Sequence, residues 1–223
     1  MKDYASLTQD EWVVEAALCE LIAMGLRLPT QELAEAVASG EFAEALVEVG
    51  TQAGIDKQTL SQAKTLLADY SGQDPEVLFH TLRIEYTRLF VGAPEPEVSP
   101  FAGVWHAREQ GVQALLFVNP RSMEIERFMR SCGIGQADGK NEPLDNISTM
   151  FEFLQYLALA NAGAVEKTEG IEIPDDAFKT FYSKYVANWA GAGGFADSVI
   201  ASARIPFYKA MAEVIKAILA SWE

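Results

Sequence analysis

Signals that start α-helices recur along the whole chain, and no stretch keeps the alternation of apolar and polar residues that marks a strand. Thr8 and Glu11 fit a capping box ahead of a long apolar-rich run. The pairs Asp74–Pro75 and Asn119–Pro120 place an N-cap residue before a proline at the first helical position. We therefore predict an all-α fold, a bundle of about ten helices, as a single domain over residues 1–223.

The spacing of apolar residues gives the approximate positions of these helices. A long helix is predicted to begin at about Glu142, because apolar residues then repeat every three or four positions from Ile147 to Leu157. The other predicted helices lie near 30–39, 40–53, 57–70 and 105–117, from Asn119 to Cys132, from Pro174 to Trp189 and from Pro206 to Trp222.

Charge and cysteine content exclude several classes of function. The net charge is −15, from 17 basic and 32 acidic residues, without the basic cluster that nucleic acid binding requires. Such an acidic surface favours cationic peptides as partners, or it serves solubility alone. Cys19 and Cys132 have no cysteine or histidine at metal-ligand spacing, and no catalytic motif occurs. We expect no catalytic residues, metal or cofactor.

We predict a cytoplasmic protein for three reasons. The two cysteines are expected to be reduced thiols, no secretory signal is present, and no apolar stretch is long enough to span a membrane.

The stretch EYTRLFVGAPEPEVSPFAGVW, residues 85–105, combines a helix end with three prolines and two aromatic residues. Gly92 is expected to end the helix in the left-handed conformation, and the prolines should keep the following loop extended. Phe101 and Trp105 allow two interpretations. They fold back onto the core, or they line a groove for an apolar peptide.

A second segment, EPLDN at 142–146, is predicted to form the first turn of the long helix. There Glu142 and Asp145 would complement the helix dipole, and Pro143 suits the first turn. Alternatively, the two carboxylates and the amide of Asn146 stand beside the aromatic loop. They would then bind a ligand that is cationic at one end and apolar at the other.

Three segments together resemble the TorD/DmsD/NarJ-like family of redox-enzyme maturation chaperones. Residues 85–105 are similar to the family's Glu-x-x-x-Leu-Phe-x-Gly-Pro loop, with Ala93 inserted between glycine and proline. Residues 142–146 are similar to its Glu-Pro-x-Asp-His motif, with Asn146 in place of the histidine. Residues 181–190 and 206–215 are similar to its ending of helix, tryptophan and Pro-Phe-Tyr helix.

The resemblance covers about residues 75–220 and implies an all-α cytoplasmic chaperone that is not an enzyme. It would bind the twin-arginine signal peptide of an apo-molybdoenzyme catalytic subunit, hold it back from export and assist cofactor insertion, as a monomer or homodimer. The peptide-binding residues expected on this basis are Glu85, Tyr86, Leu89, Phe90, Pro100, Phe101, Trp105, Glu142, Pro143, Asp145 and Asn146.

Two alternatives stay open. The glycine-punctuated loop GIGQADGKN at 133–141 fails as a phosphate-binding loop, since Ile134 stands where a glycine is required and Asn141 where a serine or threonine is required. A nucleotide-binding protein or enzyme that uses the same cleft nevertheless remains an alternative. The other is a helical adaptor whose aromatic loop contacts a folded oxidoreductase subunit.

Overall fold

The structure is a computed structural model that describes residues 3–112, 119–135, 143–165 and 170–222. Within these ranges every regular secondary-structure element is helical. The one strand-like pairing there is a single antiparallel bridge between Phe101 and Asn146. The prediction of an all-α fold is confirmed. No helix in this part of the chain is both long and apolar enough to cross a bilayer.

Twelve α-helical segments account for most of these residues. A 3₁₀ turn at Tyr4–Ser6 precedes them, and π-helical turns at Thr87–Val91 and Tyr182–Val186 directly follow α5 and α9. The segments are α1 (Gln9–Leu26), α2 (Gln31–Ser39), α3 (Glu41–Gln52), α4 (Lys57–Ala68), α5 (Pro75–Tyr86), α6 (Ala102–Glu109), α7 (Pro120–Ser131), α8 (Ile147–Asn161), α9 (Ala177–Phe181), α10 (Ala187–Ala190), α11 (Phe195–Ser202) and α12 (Pro206–Trp222).

The helix starts that depend on a local cap are confirmed. The Thr8 hydroxyl accepts a hydrogen bond from the Glu11 amide at 3.3 Å, and the Glu11 carboxylate accepts one from the Thr8 amide at 2.7 Å. Asp74 caps α5 and Asn119 caps α7, each followed by proline in the first turn. Helix starts are well predicted wherever the capping side chain lies within three residues of the amide it satisfies.

The predicted start of the long helix is wrong. α8 begins at Ile147 with Asn146 as its N-cap, and residues 143–145 precede the helix. The backbone of residues 145–147 pairs instead with residues 100–102 through the bridge at Asn146. Pro174 likewise does not open a helix. Its carbonyl accepts a bond from the Ala177 amide at 2.9 Å in a turn that precedes α9.

The core joins the first and last helices of the described chain. α1 packs along α8, and α12 packs against α4 and α11. Trp222, the last residue of α12, is 1% exposed, and its indole N–H donates to the Glu15 carboxylate of α1 at 2.8 Å. Its ring lies 5.2 Å from that of Phe178 and 5.0 Å from that of Tyr182. The apolar stripe predicted for the last helix is therefore buried at the centre of the molecule.

Replacing Ile215 of α12 by alanine tests this packing. The side chain is fully buried, so Ile215→Ala should lower the free energy of unfolding by about 2–5 kcal/mol through lost burial and the remaining cavity. Ile84→Ala removes the same atoms from a side chain that is 72% exposed and should change stability by less than about 0.5 kcal/mol. Urea unfolding followed by circular dichroism measures both, and equal losses would contradict the assignment of the core.

Candidate functional site

A groove of about 760 Å³ opens between the end of α5, the loop at residues 92–101 and the first turns of α8. We call it the α5–α8 groove and the loop the proline loop. Its walls are mixed, with aromatic and aliphatic side chains beside two arginines and two glutamates. The lining residues are Arg27, Leu28, Tyr86, Phe90, Val91, Glu95, Pro96, Ser99, Pro100, Phe101, Val104, Arg108, Asn146, Ser148, Thr149 and Glu152.

Backbone hydrogen bonds join the two segments that the sequence placed in one site. The Ala102 amide donates to the Asp145 carbonyl at 3.0 Å, and the Ile147 amide donates to the Pro100 carbonyl at 2.8 Å. The end of the proline loop and the residues before α8 thus form one continuous wall of the groove.

Asp145 and Asn146 cap two different helices. Asp145 is 1% exposed, and its Oδ2 accepts bonds from the Gly103 amide of α6 at 2.8 Å and from the Ser122 hydroxyl of α7 at 2.7 Å. The Oδ1 of Asn146 accepts a bond from the Ser148 amide in the first turn of α8 at 3.0 Å. Asp145 therefore supports the groove wall from beneath.

The close approach of α6 and α7 requires glycine at position 103. A Cβ at Gly103 would lie 2.4 Å from the Ser122 Oγ and 3.0 Å from the Asn119 Cγ. Without it, the Gly103 carbonyl accepts a bond from the Asn119 side-chain amide at 2.7 Å. The starts of α6, α7 and α8 consequently converge on Asp145. Burial raises the pKa of its carboxyl group, against the opposing effect of the Ser122 and Gly103 hydrogen bonds.

A buried ion pair holds the opposite wall. Glu85 is 5% exposed, and its two carboxylate oxygens accept bonds from Arg88 Nε and Nη2, both at 2.8 Å. Arg88 Nη2 also donates to the Ser202 carbonyl at 2.6 Å, and the Arg204 amide donates to Glu85 at 2.6 Å. Although burial opposes ionisation, the bonds from Arg88 and Arg204 outweigh it and lower the pKa of Glu85. The pair ties the end of α5 to the connection between α11 and α12.

Arg88 also reaches the proline loop, where its Nη1 lies 3.5 Å from Glu97 Oε1. The loop leaves the helix at Gly92, whose φ of 19° and ψ of 152° do not match the expected left-handed conformation. Glycine is needed there for space, since a Cβ would lie 2.8 Å from the Glu95 carbonyl oxygen and 2.9 Å from the Pro96 Cα. The chain folds tightly back on itself and carries Glu95 to the groove.

The two aromatic residues of the opening stretch have different positions. Phe101 is half-buried and lines the groove. The indole N–H of Trp105 donates to the Ser99 carbonyl at 2.8 Å, and its ring stacks at 6.3 Å from that of Trp189, outside the groove lining. Trp105 thus packs back against the core, whereas Phe101 lies in the groove, where its binding of a peptide stays a prediction.

The structure brings part of the predicted peptide-binding set to the groove surface. Glu142 lies outside the described residues. The predicted residues that line the groove are Tyr86, Phe90, Pro100, Phe101 and Asn146, whereas Glu85, Leu89, Trp105, Pro143 and Asp145 lie behind or beside it.

Several groove residues were missed from the sequence. Arg27 and Glu152 face each other across the rim, with Arg27 Nη1 4.0 Å from Glu152 Oε1. Ser148, Thr149 and Glu152 follow helical spacing on the mostly apolar α8, and this polar face was a signal available in the sequence. The contribution of Arg27, from the far end of α1, has no local sequence signal.

The glycine loop begins as a helix stop. Gly133 has a φ of 88° and donates to the Arg130 carbonyl at 3.0 Å, while the Ile134 amide donates to the Met129 carbonyl at 3.0 Å. This is a Schellman motif at the end of α7. This motif explains the glycine at position 133, so Gly133 gives no support to the nucleotide-binding alternative. Residues 136–142 of the glycine loop lie outside the described ranges.

A family model described as "Nitrate reductase delta subunit" matches residues 55–193, more than half of the chain. The chain belongs to this family. It is a family of molybdoenzyme maturation chaperones, not of catalysts. The matched range contains the proline loop, the Glu85–Arg88 pair and the Asp145–Asn146 caps. The comparison with curated proteins gives no match.

The raised pKa of Asp145 gives a pH dependence with a defined sign. The folded state favours the protonated carboxyl, so this group's contribution to stability is present below its unfolded pKa, about 4, and is lost as pH rises through the higher folded value. Asp145→Asn stays neutral at every pH. Urea unfolding between pH 4 and 7 should show the free energy of the wild type falling relative to that of Asp145→Asn as pH rises.

Asp56→Asn is a control of opposite sign. The hydrogen bond from the Thr59 hydroxyl lowers the pKa of Asp56, the N-cap of α4. Its contribution is present above the unfolded pKa, about 4, and is lost as pH falls below that value, so the wild type should gain on Asp56→Asn as pH rises from about 2 to 4 and keep a constant difference above it. A slope for Asp145→Asn of the same sign as this control would contradict the effect of burial on Asp145.

Proposed function

We propose that this chain is a cytoplasmic chaperone that binds the twin-arginine signal peptide of an apo-molybdoenzyme catalytic subunit in the α5–α8 groove. It holds the precursor back from export while the cofactor is inserted. Family membership supports the maturation role. The single observation that carries the peptide-binding role is the groove itself, in which an aromatic wall stands beside two carboxylates at the surface.

Glu95 and Glu152 provide the anionic side of this site. Glu95 is exposed, and no cation of the described chain lies within ion-pair distance of it. Glu152 has Arg27 at 4.0 Å, the outer limit of an ion pair, between side chains that are 46% and 42% exposed. Such a pair contributes little, so a peptide guanidinium displaces Arg27 at small cost. Paired arginines of the leader bind these two carboxylates by charge-assisted hydrogen bonds.

Phe90, Phe101 and Tyr86 provide the apolar side. Phe101 is the more accessible of the three, whereas Phe90 and Tyr86 are 4% and 8% exposed and form the floor behind it. Aromatic side chains are typical anchors of recognition surfaces. The volume of about 760 Å³ lies within the usual range for ligand sites. It accommodates the residues next to the arginines, where a leader becomes apolar.

Asn146 takes the place of the histidine that the family motif carries. Its Oδ1 is occupied by the Ser148 amide and hydroxyl, at 3.0 and 2.9 Å. Its side-chain NH₂ donates to the bound peptide backbone, and it does so at any pH because an amide does not titrate. Leader binding at this position is therefore independent of protonation near neutrality.

Calorimetry with twin-arginine leaders of the molybdoenzyme catalytic subunits encoded in the same genome tests the proposal. The wild type should bind at least one leader, and a twin-lysine version should bind more weakly because lysine lacks the bidentate fork. Glu95→Gln and Glu152→Gln should each lower the affinity by about five- to tenfold, as expected for a lost charge-assisted bond. Both should leave the thermal unfolding temperature nearly unchanged.

Glu44→Gln is the matched control, because it removes an exposed carboxylate on α3, outside the groove lining. It should bind leaders as the wild type does. A folded wild type that binds none of the leaders would overturn the proposal, and equal losses in all three variants would indicate a general charge effect. A mature subunit without its leader, if retained as tightly as the precursor, would favour the adaptor alternative.

A further inference from the structure

The α5–α8 groove contains an arginine that the proposed binding of leader arginines does not use. Arg108, on α6, is exposed and lines the groove. Arg27, the other arginine of the lining, lies 4.0 Å from Glu152, whereas no carboxylate of the described residues lies within ion-pair distance of Arg108. A positive charge in the groove opposes a ligand that is only cationic. Arg108 therefore indicates a ligand that also carries a negative group.

Two tryptophans hold the guanidinium of Arg108 in place. Its Cζ lies 5.4 Å from the centre of the Trp105 ring, and that ring stacks at 6.3 Å from the ring of Trp189. Each indole is itself fixed by its N–H, which donates to the Ser99 carbonyl at 2.8 Å in Trp105 and to the Tyr185 carbonyl at 2.7 Å in Trp189. A guanidinium stacked on a fixed ring loses little freedom when it binds an anion.

The stacking leaves the hydrogen-bond donors of Arg108 accessible. A guanidinium has five N–H donors, which lie in its plane and point away from its edges. In Arg108 one face of this plane lies over Trp105, so the indole covers a face and not the donors. A carboxylate at the groove can then accept two parallel hydrogen bonds from one edge.

Arg108 and Glu152 lie on two helices that start at the same bridge. Phe101, Val104 and Arg108 follow one another at three- and four-residue spacing, on one side of α6, and Glu152 comes six residues after Asn146. α6 packs on α7 and α10, whereas α8 packs on α1 and α9. The two helices thus leave the bridge toward different neighbours, and the groove has a positive arm on α6 and a negative arm on α8.

We infer that Arg108 binds an acidic side chain of the leader, close in sequence to its paired arginines; this inference rests on the proposed function. Along its helix, Arg108 lies about 10 Å from Phe101, and Glu152 lies about 9 Å from Asn146. Residues paired in an antiparallel bridge are about 5 Å apart, so the backbones at Arg108 and Glu152 are separated by at most about 25 Å. An extended peptide rises about 3.3 Å per residue, which places the acidic residue within about seven residues of the arginines.

A carboxylate fits this arrangement better than a phosphate does. Arg108 offers a single guanidinium, which matches one carboxylate in a bidentate pair. Glu95 and Glu152 line the same groove and would repel a doubly charged phosphate more strongly than a singly charged side chain.

The pairing gives the groove a means to choose among leaders. Paired arginines are common to all twin-arginine leaders and do not distinguish one from another. Arg108 attracts a leader with an acidic residue at the matching position and repels one with a basic residue there. Selection among leaders therefore depends on the residues that flank the arginines.

A double-mutant cycle tests the inference by calorimetry. The probes are a leader that the wild type binds and that carries an aspartate or glutamate within about seven residues of its arginines, and the same leader with that residue replaced by its amide. Arg108→Gln should lower the affinity for the acidic leader by about three- to tenfold, as expected for an accessible charge-assisted pair. It should bind the amide leader as the wild type does, because the two changes remove the same contact.

Charge reversal gives a second test. Arg108→Glu should bind the acidic leader more weakly than Arg108→Gln does, because it replaces attraction with repulsion. A leader with lysine in place of its acidic residue should bind Arg108→Glu more tightly than it binds the wild type. A general loss of structure in the variant would not produce this gain.

Arg83→Gln is the matched control. Arg83 is an exposed arginine on α5 whose Cζ lies 5.2 Å from the centre of the Phe79 ring, outside the groove lining. This variant also removes a guanidinium stacked on an aromatic ring, and it should leave the affinities for both leaders unchanged. Circular dichroism checks the fold of all three variants.

The outcomes separate the inference from the proposed function. If Arg108→Gln binds the acidic leader as tightly as the wild type or more tightly, or loses the same affinity for both leaders, the inference is overturned and the groove proposal stands. The same holds if every leader that the wild type binds lacks an acidic residue near its arginines. If the folded wild type binds no leader, the proposed function fails and the inference fails with it.

Discussion

The burial of the Asp145 carboxylate is the constraint on which the geometry of the site depends. Asp145 is 1% exposed, and burial raises the pKa of its carboxyl group. Its Oδ2 accepts bonds from Gly103 of α6 and Ser122 of α7, whereas its buried Oδ1 has no hydrogen-bond partner among the described residues. The next residue, Asn146, starts α8. Because three helix starts share this point, the direction of the groove wall from Pro100 to Asn146 is fixed by one buried side chain and its neighbour.

The opposite wall is also held by a buried, hydrogen-bonded acidic side chain. Glu85 and Arg88 are held together by two bonds of 2.8 Å and fasten α5 to the backbone at Ser202 and Arg204. Acidic residues therefore occur at two depths. The buried ones, Glu85 and Asp145, support the walls, and the accessible ones, Glu95 and Glu152, line the surface. Support of the walls and the proposed binding of arginines thus fall to separate side chains.

Whether a feature could be predicted from the sequence depends on how far apart along the chain the interacting residues lie. Caps such as those at Thr8, Asp74 and Asn119 act within three residues, and the sequence predicts them correctly. An acidic residue such as Asp145 is typical of the first turn of a helix. In the structure it instead accepts a hydrogen bond from Gly103 at the start of α6, 42 residues earlier in the chain. The start of α8 was therefore misplaced. Part of the groove lining could be predicted, because the prolines and aromatics of the proline loop and the EPLDN segment that contains Asn146 stand out in the sequence. Arg27 could not be predicted, because it lies at the end of α1, far from both segments in the sequence.

The backbone contacts of the Glu85–Arg88 pair determine when the groove takes its final form during folding. Glu85 and Arg204 are 119 residues apart, and loop closure over such a distance is slow compared with the formation of local helices. α5 and the proline loop form from nearby residues, but their anchor points at Ser202 and Arg204 lie close to the start of α12. On a ribosome these residues emerge late. A nascent copy of this chain therefore has the side chains of its groove synthesised long before it has a rigid place for them.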